Sequence, residues 1–220
     1  MRKLITAAFV SLDGVMQAPG GPDEDPSGGF DFGGWVWPYA DEFFGKAVDA
    51  LFEADFELLL GRKTYEIFAA HWPFQAADDS IANRFNAVRK YVATRSGTPL
   101  TWKDSVALHD AATDVARLKQ GDGPKLITQG SCDLIQTLLA HELIDELRVF
   151  TFPVVLGRGK RLFGADARPG ALKVLDHKVS ATGVTMSIYQ RDGAVRTGNF
   201  AVVPPSELEL ARRERVRHEG

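Results

Sequence analysis

The sequence predicts an α/β protein in which a mostly parallel β-sheet is covered by helices on both faces and ends in an antiparallel hairpin. Short apolar segments alternate with helical segments from residue 3 to residue 152, which is typical of parallel strands joined by crossover helices. After residue 171, two apolar segments flank Thr182-Gly183. The second alternates Val184, Met186 and Ile188 with polar residues, which favours an edge hairpin.

Composition limits the classes of function. The chain has 220 residues, enough for one large domain, with 45% hydrophobic and 25% charged residues. Its net charge of −3 gives no reason to expect nucleic acid or an anionic membrane as a partner. The single Cys132 excludes an internal disulfide, and five scattered histidines give no metal-ligand spacing. No apolar run has the ~20 residues of a membrane span, and no signal peptide is visible, so we expect a cytoplasmic protein.

The first half of the chain contains three predicted strands and three predicted helices. Asp13-Gly14 forms the turn after the first strand. In chain order the elements are strand Lys3–Val10, helix Tyr39–Ala54, strand Leu58–Leu60, helix Thr64–Ala70, helix Asp79–Arg89 and strand Lys90–Thr94.

The second half continues the alternation and then changes to the hairpin. Asp110 and Ser131 are the predicted N-caps of its two helices. The elements are strand Ser105–Leu108, a helix to Lys119, strand Lys125–Thr128, the helix after Ser131, strand Leu147–Phe152 and hairpin strands Leu172–Ala181 and Val184–Arg191. We assign residues 1–192 to one domain and 193–220 to a linker and a charged helical tail that Ser206 caps.

The stretch from Leu58 to Glu66 is the centre of the functional prediction. Three leucines indicate a strand buried on both faces, and Gly61-Arg62-Lys63-Thr64 then turns into a helix. Backbone N–H groups at the helix start, the helix dipole and two cations make a place for a phosphate. The alternative is an ordinary strand–turn–helix joint with a solvated basic pair.

Similar residues follow two further strands. Thr94-Arg95-Ser96 comes after one, and Gly130-Ser131 comes after another and precedes a helix. Ligands of open α/β sheets bind outside the carboxyl ends of the strands. Three such ends indicate one extended, multiply phosphorylated ligand such as a dinucleotide.

The glycine-rich segment from Gln17 to Gly34 is too long for a simple connection. It and the residues that follow carry four large aromatics, among them Trp35 and Trp37, which pure disorder does not explain. We interpret the segment as a lid or pocket wall, and Trp35 and Trp37 as candidate substrate contacts. Alternatively, the aromatics clamp a surface loop or form a dimer contact.

Asp41 lies off the polar stripe of the predicted helix Tyr39–Ala54. At 100° per residue it falls between Val48 and Phe52, in the first turn and at the edge of the apolar side. Partial burial there would raise the pKa of its carboxyl, and the helix N-terminus would lower it.

Neither the Rossmann fingerprint nor the P-loop is present. The chain resembles the dihydrofolate reductase-like superfamily, and within it the riboflavin-biosynthesis reductase branch and its stand-alone bacterial relatives. The motifs that carry the resemblance span about residues 2–191. They are Ser11-Leu12-Asp13-Gly14, Leu60-Gly61-Arg62-Lys63-Thr64-Tyr65-Glu66, Gly130-Ser131, Leu143-Ile144-Asp145-Glu146-Leu147 and Pro153 through Phe163.

The resemblance implies a three-layer α/β/α fold, NADPH as hydride donor and a homodimer. It implies that Gly61, Arg62, Lys63 and Thr64 hold the cofactor's phosphates, that Thr94, Arg95 and Ser96 lie near the 2′-phosphate, and that Gly130 and Ser131 meet the pyrophosphate. Asp13 matches the aspartate of the riboflavin branch, and Asp41 lies where dihydrofolate reductases place their pterin-binding acid.

The sequence therefore predicts an NADPH-dependent reductase of a small heterocyclic, pteridine- or ribosylaminopyrimidine-like, or carbonyl-type substrate. We expect Asp41 to supply the proton and Asp13 to hold the substrate or the lid. The alternative is a non-catalytic nucleotide-binding or regulatory protein on the same fold, because fold does not fix function.

Overall fold

The computed structural model describes residues 1–219 and shows one mixed sheet of eight strands. The strands are β1 (Leu4–Ser11), β2 (Phe56–Gly61), β3 (Lys90–Ala93), β4 (Ser105–Leu108), β5 (Lys125–Gln129), β6 (Glu146–Phe152), β7 (Leu172–Val179) and β8 (Thr185–Arg191). The α-helices are α1 (Glu42–Leu51), α2 (Arg62–His71), α3 (Ser80–Ala87), α4 (Ala111–Gln120), α5 (Cys132–Ala140) and α6 (Glu207–Arg217).

The strand order across the sheet is β4-β3-β2-β5-β1-β6-β8-β7. The first six strands in that order run parallel to one another, and β8 is antiparallel to both β6 and β7. The carboxyl ends of the six parallel strands therefore lie at the same edge of the sheet. This arrangement confirms the predicted mostly parallel sheet with an antiparallel C-terminal hairpin.

Strand β2 shows why the protein has three layers. Leu58 and Leu60 pack with residues of α1, α2 and α3 on one face of the sheet. Leu59 faces the other way and packs with residues of α4 and α5. All three leucines are fully buried, which stabilises the fold by roughly 1.5–3 kcal/mol for each side chain. The prediction of a strand buried on both faces is confirmed.

Helix α1 begins three residues later than the sequence predicted. Trp37, Pro38 and Tyr39 form a separate 3₁₀ turn, and Ala40 has an extended backbone. Asp41 is also extended and is the N-cap of α1, where its side chain accepts a hydrogen bond from the Phe44 N–H. The predicted helix extends too far toward the N-terminus. The Asp41 side chain accepts the hydrogen bond of a backbone N–H in the first turn, as N-cap residues do, so the helix begins after it.

The C-terminal segment packs differently from the domain. Residues 193–206 contain no helix or strand, and Ser206 caps α6 through the Glu209 N–H, as predicted. Helix α6 has no buried residue, and Phe200 is fully exposed. Among the described residues, none of the helices has both the length and the apolar character that crossing a bilayer requires.

Candidate functional site

A cleft of about 940 Å³ lies at the carboxyl ends of the parallel strands. Residues after β2, β3 and β5 line it, which is where open α/β sheets place their ligands. Eight of the nine residues predicted to hold a cofactor lie along this cleft: Gly61, Arg62, Lys63, Thr64, Thr94, Arg95, Gly130 and Ser131. The ninth, Ser96, is outside the lining; its N–H bonds to Thr94 Oγ1 at 3.0 Å.

The joint between β2 and α2 packs against the joint between β5 and α5, and both line the cleft. The Gly61 N–H donates to Ser131 Oγ at 2.9 Å, and Ser131 Oγ donates to Thr64 Oγ1, also at 2.9 Å. A Cβ on Gly61 would lie 3.2 Å from Ser131 Cβ. Gly130 has a φ of +74°, and a Cβ there would lie 3.4 Å from Thr64 Cγ2. Both glycines are needed for the close approach of α2 and α5.

The N-termini of α2 and α5 have no side-chain cap. Ser131 is the N-cap residue of α5, as predicted, but its hydroxyl bonds to the α2 joint and not to its own helix. The other four helices are each capped by a side chain, namely Asp41, Asp79, Asp110 and Ser206. The two helix starts that line the cleft therefore keep backbone N–H groups and the positive dipole ends for a ligand.

Three cationic side chains add positive charge to this end of the cleft. Arg62 is held by Glu66 at 2.6 Å and by the Thr98 carbonyl at 3.0 Å. Lys63 and Arg95 line the cleft and are exposed. This end combines exposed cations with two helix N-termini, and it suits a ligand that carries several phosphates.

The cleft is also lined by residues that the sequence analysis did not identify. Gln17, Glu24 and Asp25 line it from the long loop after β1, and Lys160 lines it from the segment after β6. The Lys160 ammonium pairs with the Asp25 carboxylate. Residues 17–25 thus form a wall of the cleft. The length of the loop was the only signal in the sequence, since its acids are not in any motif.

Gln17 holds this wall in place. Its side chain is only 4% exposed, and its Nε2 donates to the carbonyls of Asp25 and Ser27, at 2.9 Å each. Its Oε1 accepts from the Lys160 N–H at 3.0 Å. One buried amide therefore ties the loop after β1 to a segment more than a hundred residues later.

The two candidate tryptophans do not line the cleft. Trp35 is buried, donates its indole N–H to the Gln17 carbonyl at 2.8 Å and packs edge-on against Phe152. Trp37 is 81% exposed and outside the lining. The aromatic half of the loop therefore clamps the segment to the sheet, the second interpretation given above, while residues 17–25 form the pocket wall.

Asp13 links the turn after β1 to the segment after β6. Its carboxylate accepts hydrogen bonds from Ser11 Oγ at 2.7 Å and from the N–H groups of Leu156 and Gly157 at 3.1 and 2.9 Å. These bonds, above all the one from Ser11, lower the pKa of Asp13 to about 2. The carboxylate lies outside the cleft lining and remains ionised in any ordinary buffer.

Asp41 also lies outside the cleft lining. It caps α1 and faces Thr182 in the β7–β8 turn. The hydrogen bond from the Phe44 N–H lowers the pKa of Asp41, and its side chain is not deeply buried. Both effects that the sequence predicts act on this pKa, and the hydrogen bond at the helix N-terminus outweighs burial.

Two sequence relatives come from Bacillus subtilis and are both named as uncharacterized proteins. YyaP is 26% identical over 199 residues, which cover 87% of this chain and 96% of YyaP. YwjB is 28% identical over 168 residues, which cover 74% of this chain and 83% of YwjB.

Three solved structures share the fold at low sequence identity. A Shewanella protein assigned to riboflavin biosynthesis has a TM-score of 0.59 and 21% identity over 86% of this chain and 99% of its own. Dihydrofolate reductase from Enterococcus faecalis, complexed with NADP(H) and RAB-propyl, has a TM-score of 0.56 and 13% identity over 86% and 96%. A pyrimidine reductase-like protein of Corynebacterium diphtheriae has a TM-score of 0.55 and 12% identity over 89% and 93%.

These likenesses establish a reductase-type α/β/α fold and agree with the predicted branch of the superfamily. A family model of the RibD C-terminal domain matches residues 2–186, which is most of the chain from β1 into β8. The match includes every residue of the cleft described above. The chain therefore belongs to the RibD C-terminal domain family.

Proposed function

We propose that the protein is an NADPH-dependent reductase of a small heterocyclic, pteridine- or ribosylaminopyrimidine-like, or carbonyl-type substrate. The observation that carries the proposal is the convergence of two uncapped helix N-termini, α2 and α5, on one cleft with three cationic side chains. The NADP(H) complex of the dihydrofolate reductase neighbour supports the choice of cofactor.

The residues of the cleft fit a dinucleotide. Backbone N–H groups at the starts of α2 and α5 would hold the pyrophosphate, and Gly61 and Gly130 leave room for its close approach. Arg95, with Thr94 and Lys63 nearby along the cleft, would meet the 2′-phosphate. When bound, the cofactor supplies the hydride, and the protein orients it and excludes water.

The proton that accompanies reduction has to come from a group that reaches the cleft. Asp41 and Asp13 lie outside the lining, and hydrogen bonds hold the pKa of both below the ordinary range. Glu24 and Asp25 lie within it. We therefore place the proton supply at the loop wall. Asp13 keeps a role in holding the loops, through its bonds to Leu156 and Gly157.

We expect Arg95→Ala to weaken NADPH binding by about ten- to a hundredfold and NADH binding little. Loss of a charge-assisted hydrogen bond to the 2′-phosphate costs roughly 1.5–3 kcal/mol, and NADH lacks that phosphate. Titration calorimetry with both cofactors measures the effect. Arg196→Ala, on the exposed tail, is the matched control. Equal dissociation constants of the wild type for NADPH and NADH would refute the cofactor assignment.

A turnover assay distinguishes a reductase from a protein that only binds nucleotides. The wild type is incubated with NADPH and a panel of pterin, pyrimidine and quinone substrates, and NADPH oxidation is followed at its absorbance maximum. Oxidation that depends on one class of substrate supports a reductase. Tight NADPH binding without turnover of any substrate favours the non-catalytic alternative.

We also propose that the working unit is a homodimer that associates through the free edge of β7. This strand ends the sheet, and Val174, Leu175 and Val179 on it are each more than half exposed. An exposed, apolar edge strand is a template for pairing with another chain.

We expect light scattering at micromolar protein to give about twice the chain mass of 24.1 kDa, and Leu175→Glu to return it to one chain. Phe74→Glu alters another exposed apolar residue, away from this edge, and serves as the control. A wild type that scatters as a single chain argues against the dimer.

A further inference from the structure

The connection between β3 and β4, residues 94–104, contains no helix or strand, and it carries Arg95. Thr94 and Arg95 line the cleft. Thr94 and Trp102 are buried, whereas every residue between them except the half-buried Leu100 is exposed. Because an exposed segment without regular structure is easily displaced, its few contacts with the domain decide where Arg95 lies.

Helix α2 holds this connection at two points. The Trp102 N–H donates to the hydroxyl of Tyr65 at 2.8 Å, and Tyr65 is only 2% exposed. Nearer the surface, Arg62 donates from Nη1 to the Thr98 carbonyl at 3.0 Å. Arg62 and Tyr65 are the first and fourth residues of α2, the helix whose start lines the cleft. The connection is therefore fastened to the same helix that is proposed to bind phosphate.

The side chain of Trp102 is also held firmly. Its indole N–H donates to Asn86 Oδ1 in α3 at 2.8 Å. The Lys90 ammonium lies 4.3 Å from the centroid of the indole ring and donates to the carbonyls of Asn86 and Lys103 at 3.0 and 3.1 Å. Since α3 and β3 hold the side chain, the bond from the Trp102 N–H to Tyr65 fixes the connection relative to α2.

The hydroxyl of Tyr65 has a role that packing does not explain. The ring lies in the same core cluster as Leu58 and Leu60, where a phenylalanine ring would fill the same space. A buried hydroxyl is unfavourable unless it has a hydrogen-bond partner, and here the Trp102 N–H is that partner. What tyrosine adds over phenylalanine at this position is the bond to the connection.

We propose that Tyr65 is a positioning residue for cofactor selection, because its bond to Trp102 keeps Arg95 in place for the 2′-phosphate of NADPH. This inference rests on the proposed function. The start of α2 would bind the pyrophosphate and Arg95 the 2′-phosphate, so the two groups need a fixed separation. Tyr65 lies outside the cleft lining and acts through the connection.

The two cofactors should respond differently to loss of this bond. In a loosened connection, Arg95 would occupy its binding position for only a fraction of the time, and the affinity for NADPH would fall by that fraction. Removing one buried hydrogen bond shifts such an equilibrium by about tenfold. NADH lacks the 2′-phosphate and does not depend on Arg95, so its affinity should not change.

The test is Tyr65→Phe in the full chain, titrated by calorimetry with NADPH and with NADH. We expect NADPH to bind about tenfold more weakly and NADH as tightly as in the wild type, so that the ratio of the two affinities falls about tenfold. A role in stability alone would leave this ratio unchanged. Tyr189→Phe removes a hydroxyl from β8, outside the cleft lining, and should leave both affinities unchanged.

Two further measurements ask whether Tyr65 acts through Arg95. In the Arg95→Ala background, Tyr65→Phe should weaken NADPH no further, since the group that it positions is gone. Amide hydrogen exchange of residues 95–104 should be about tenfold faster in Tyr65→Phe than in the wild type or in Tyr189→Phe, with or without a cofactor.

The proposal is overturned if Tyr65→Phe keeps the wild-type ratio of cofactor affinities, if it weakens NADPH equally in the Arg95→Ala background, or if residues 95–104 exchange at the wild-type rate. Failure of the proposed function is seen separately and earlier, as a wild type that binds NADPH no more tightly than NADH.

Discussion

Replacing Gly130 with valine is expected to weaken NADPH binding by about a hundredfold while the protein still folds. Gly130 has a φ of +74°, a conformation that costs an ordinary residue about 1–2 kcal/mol and a β-branched residue more. A Cβ at this position would lie 3.4 Å from Thr64 Cγ2, and the γ-methyl groups of valine need additional space.

The strain would fall on the part of the cleft that is proposed to hold the pyrophosphate. To accept valine, the peptide between Gly130 and Ser131 has to rotate, which displaces the start of α5. The same rotation breaks the bonds from Ser131 Oγ to Gly61 and Thr64, so the α2 start is displaced as well. Both sets of backbone N–H groups then lose their common orientation toward the ligand.

The control for this variant is Gly45→Val. Gly45 lies in α1, and a Cβ on it would meet no atom within 4 Å. Circular dichroism and thermal unfolding establish that both variants fold, and calorimetry gives their affinities for NADPH. A folded Gly130→Val protein with wild-type NADPH affinity would show that the joint between β5 and α5 is not the phosphate site.

Gln17→Leu is expected to lower the free energy of unfolding by about 2 kcal/mol. The leucine side chain fills much of the same volume but leaves the carbonyls of Asp25 and Ser27 and the N–H of Lys160 without their partner. A fully buried polar group left unsatisfied costs about 1–3 kcal/mol, and each of these groups costs less because Asp25 and Lys160 are half-buried and Ser27 is exposed. Chemical denaturation measures the total loss.

The loss of stability in Gln17→Leu should be concentrated in residues 17–25, the wall of the cleft. Hydrogen exchange should speed up in residues 17–34 and around Lys160, and less in the central strands β1, β2 and β5. Gln136→Leu is the matched control, because Gln136 makes one such bond, to the Arg161 carbonyl at 3.0 Å. If Gln17→Leu is no less stable than Gln136→Leu, the amide does not hold the wall.

Much of the part of the cleft that is proposed to bind phosphate could be predicted from the chain itself. Gly61 through Thr64 and Gly130-Ser131 are each local: a strand ends, a glycine follows and a helix starts within a few residues. Parallel strands bring such ends to one edge of the sheet whatever their order. Eight of the nine predicted residues line one cleft, and this prediction did not require the strand order.

The wall with Glu24 could not be predicted in the same way. Gln17 and Lys160 are 143 residues apart and meet only because β1 and β6 are adjacent in the sheet. The start of α1 was misjudged because a periodic pattern does not show where a helix begins, and the capping bond that decides it depends on the backbone at Ala40 and Asp41.

By itself, the sequence determined the alternation of strands and helices, the antiparallel hairpin and the polar residues that follow three of the strands, because these depend on local pattern and backbone chemistry. Only the tertiary structure decided the strand order, the different roles of the two halves of the long loop and which carboxylates of that loop line the cleft. Those features depend on contacts between distant segments, such as the Gln17 amide with Lys160, and no local pattern in the chain encodes which distant segment a side chain will meet.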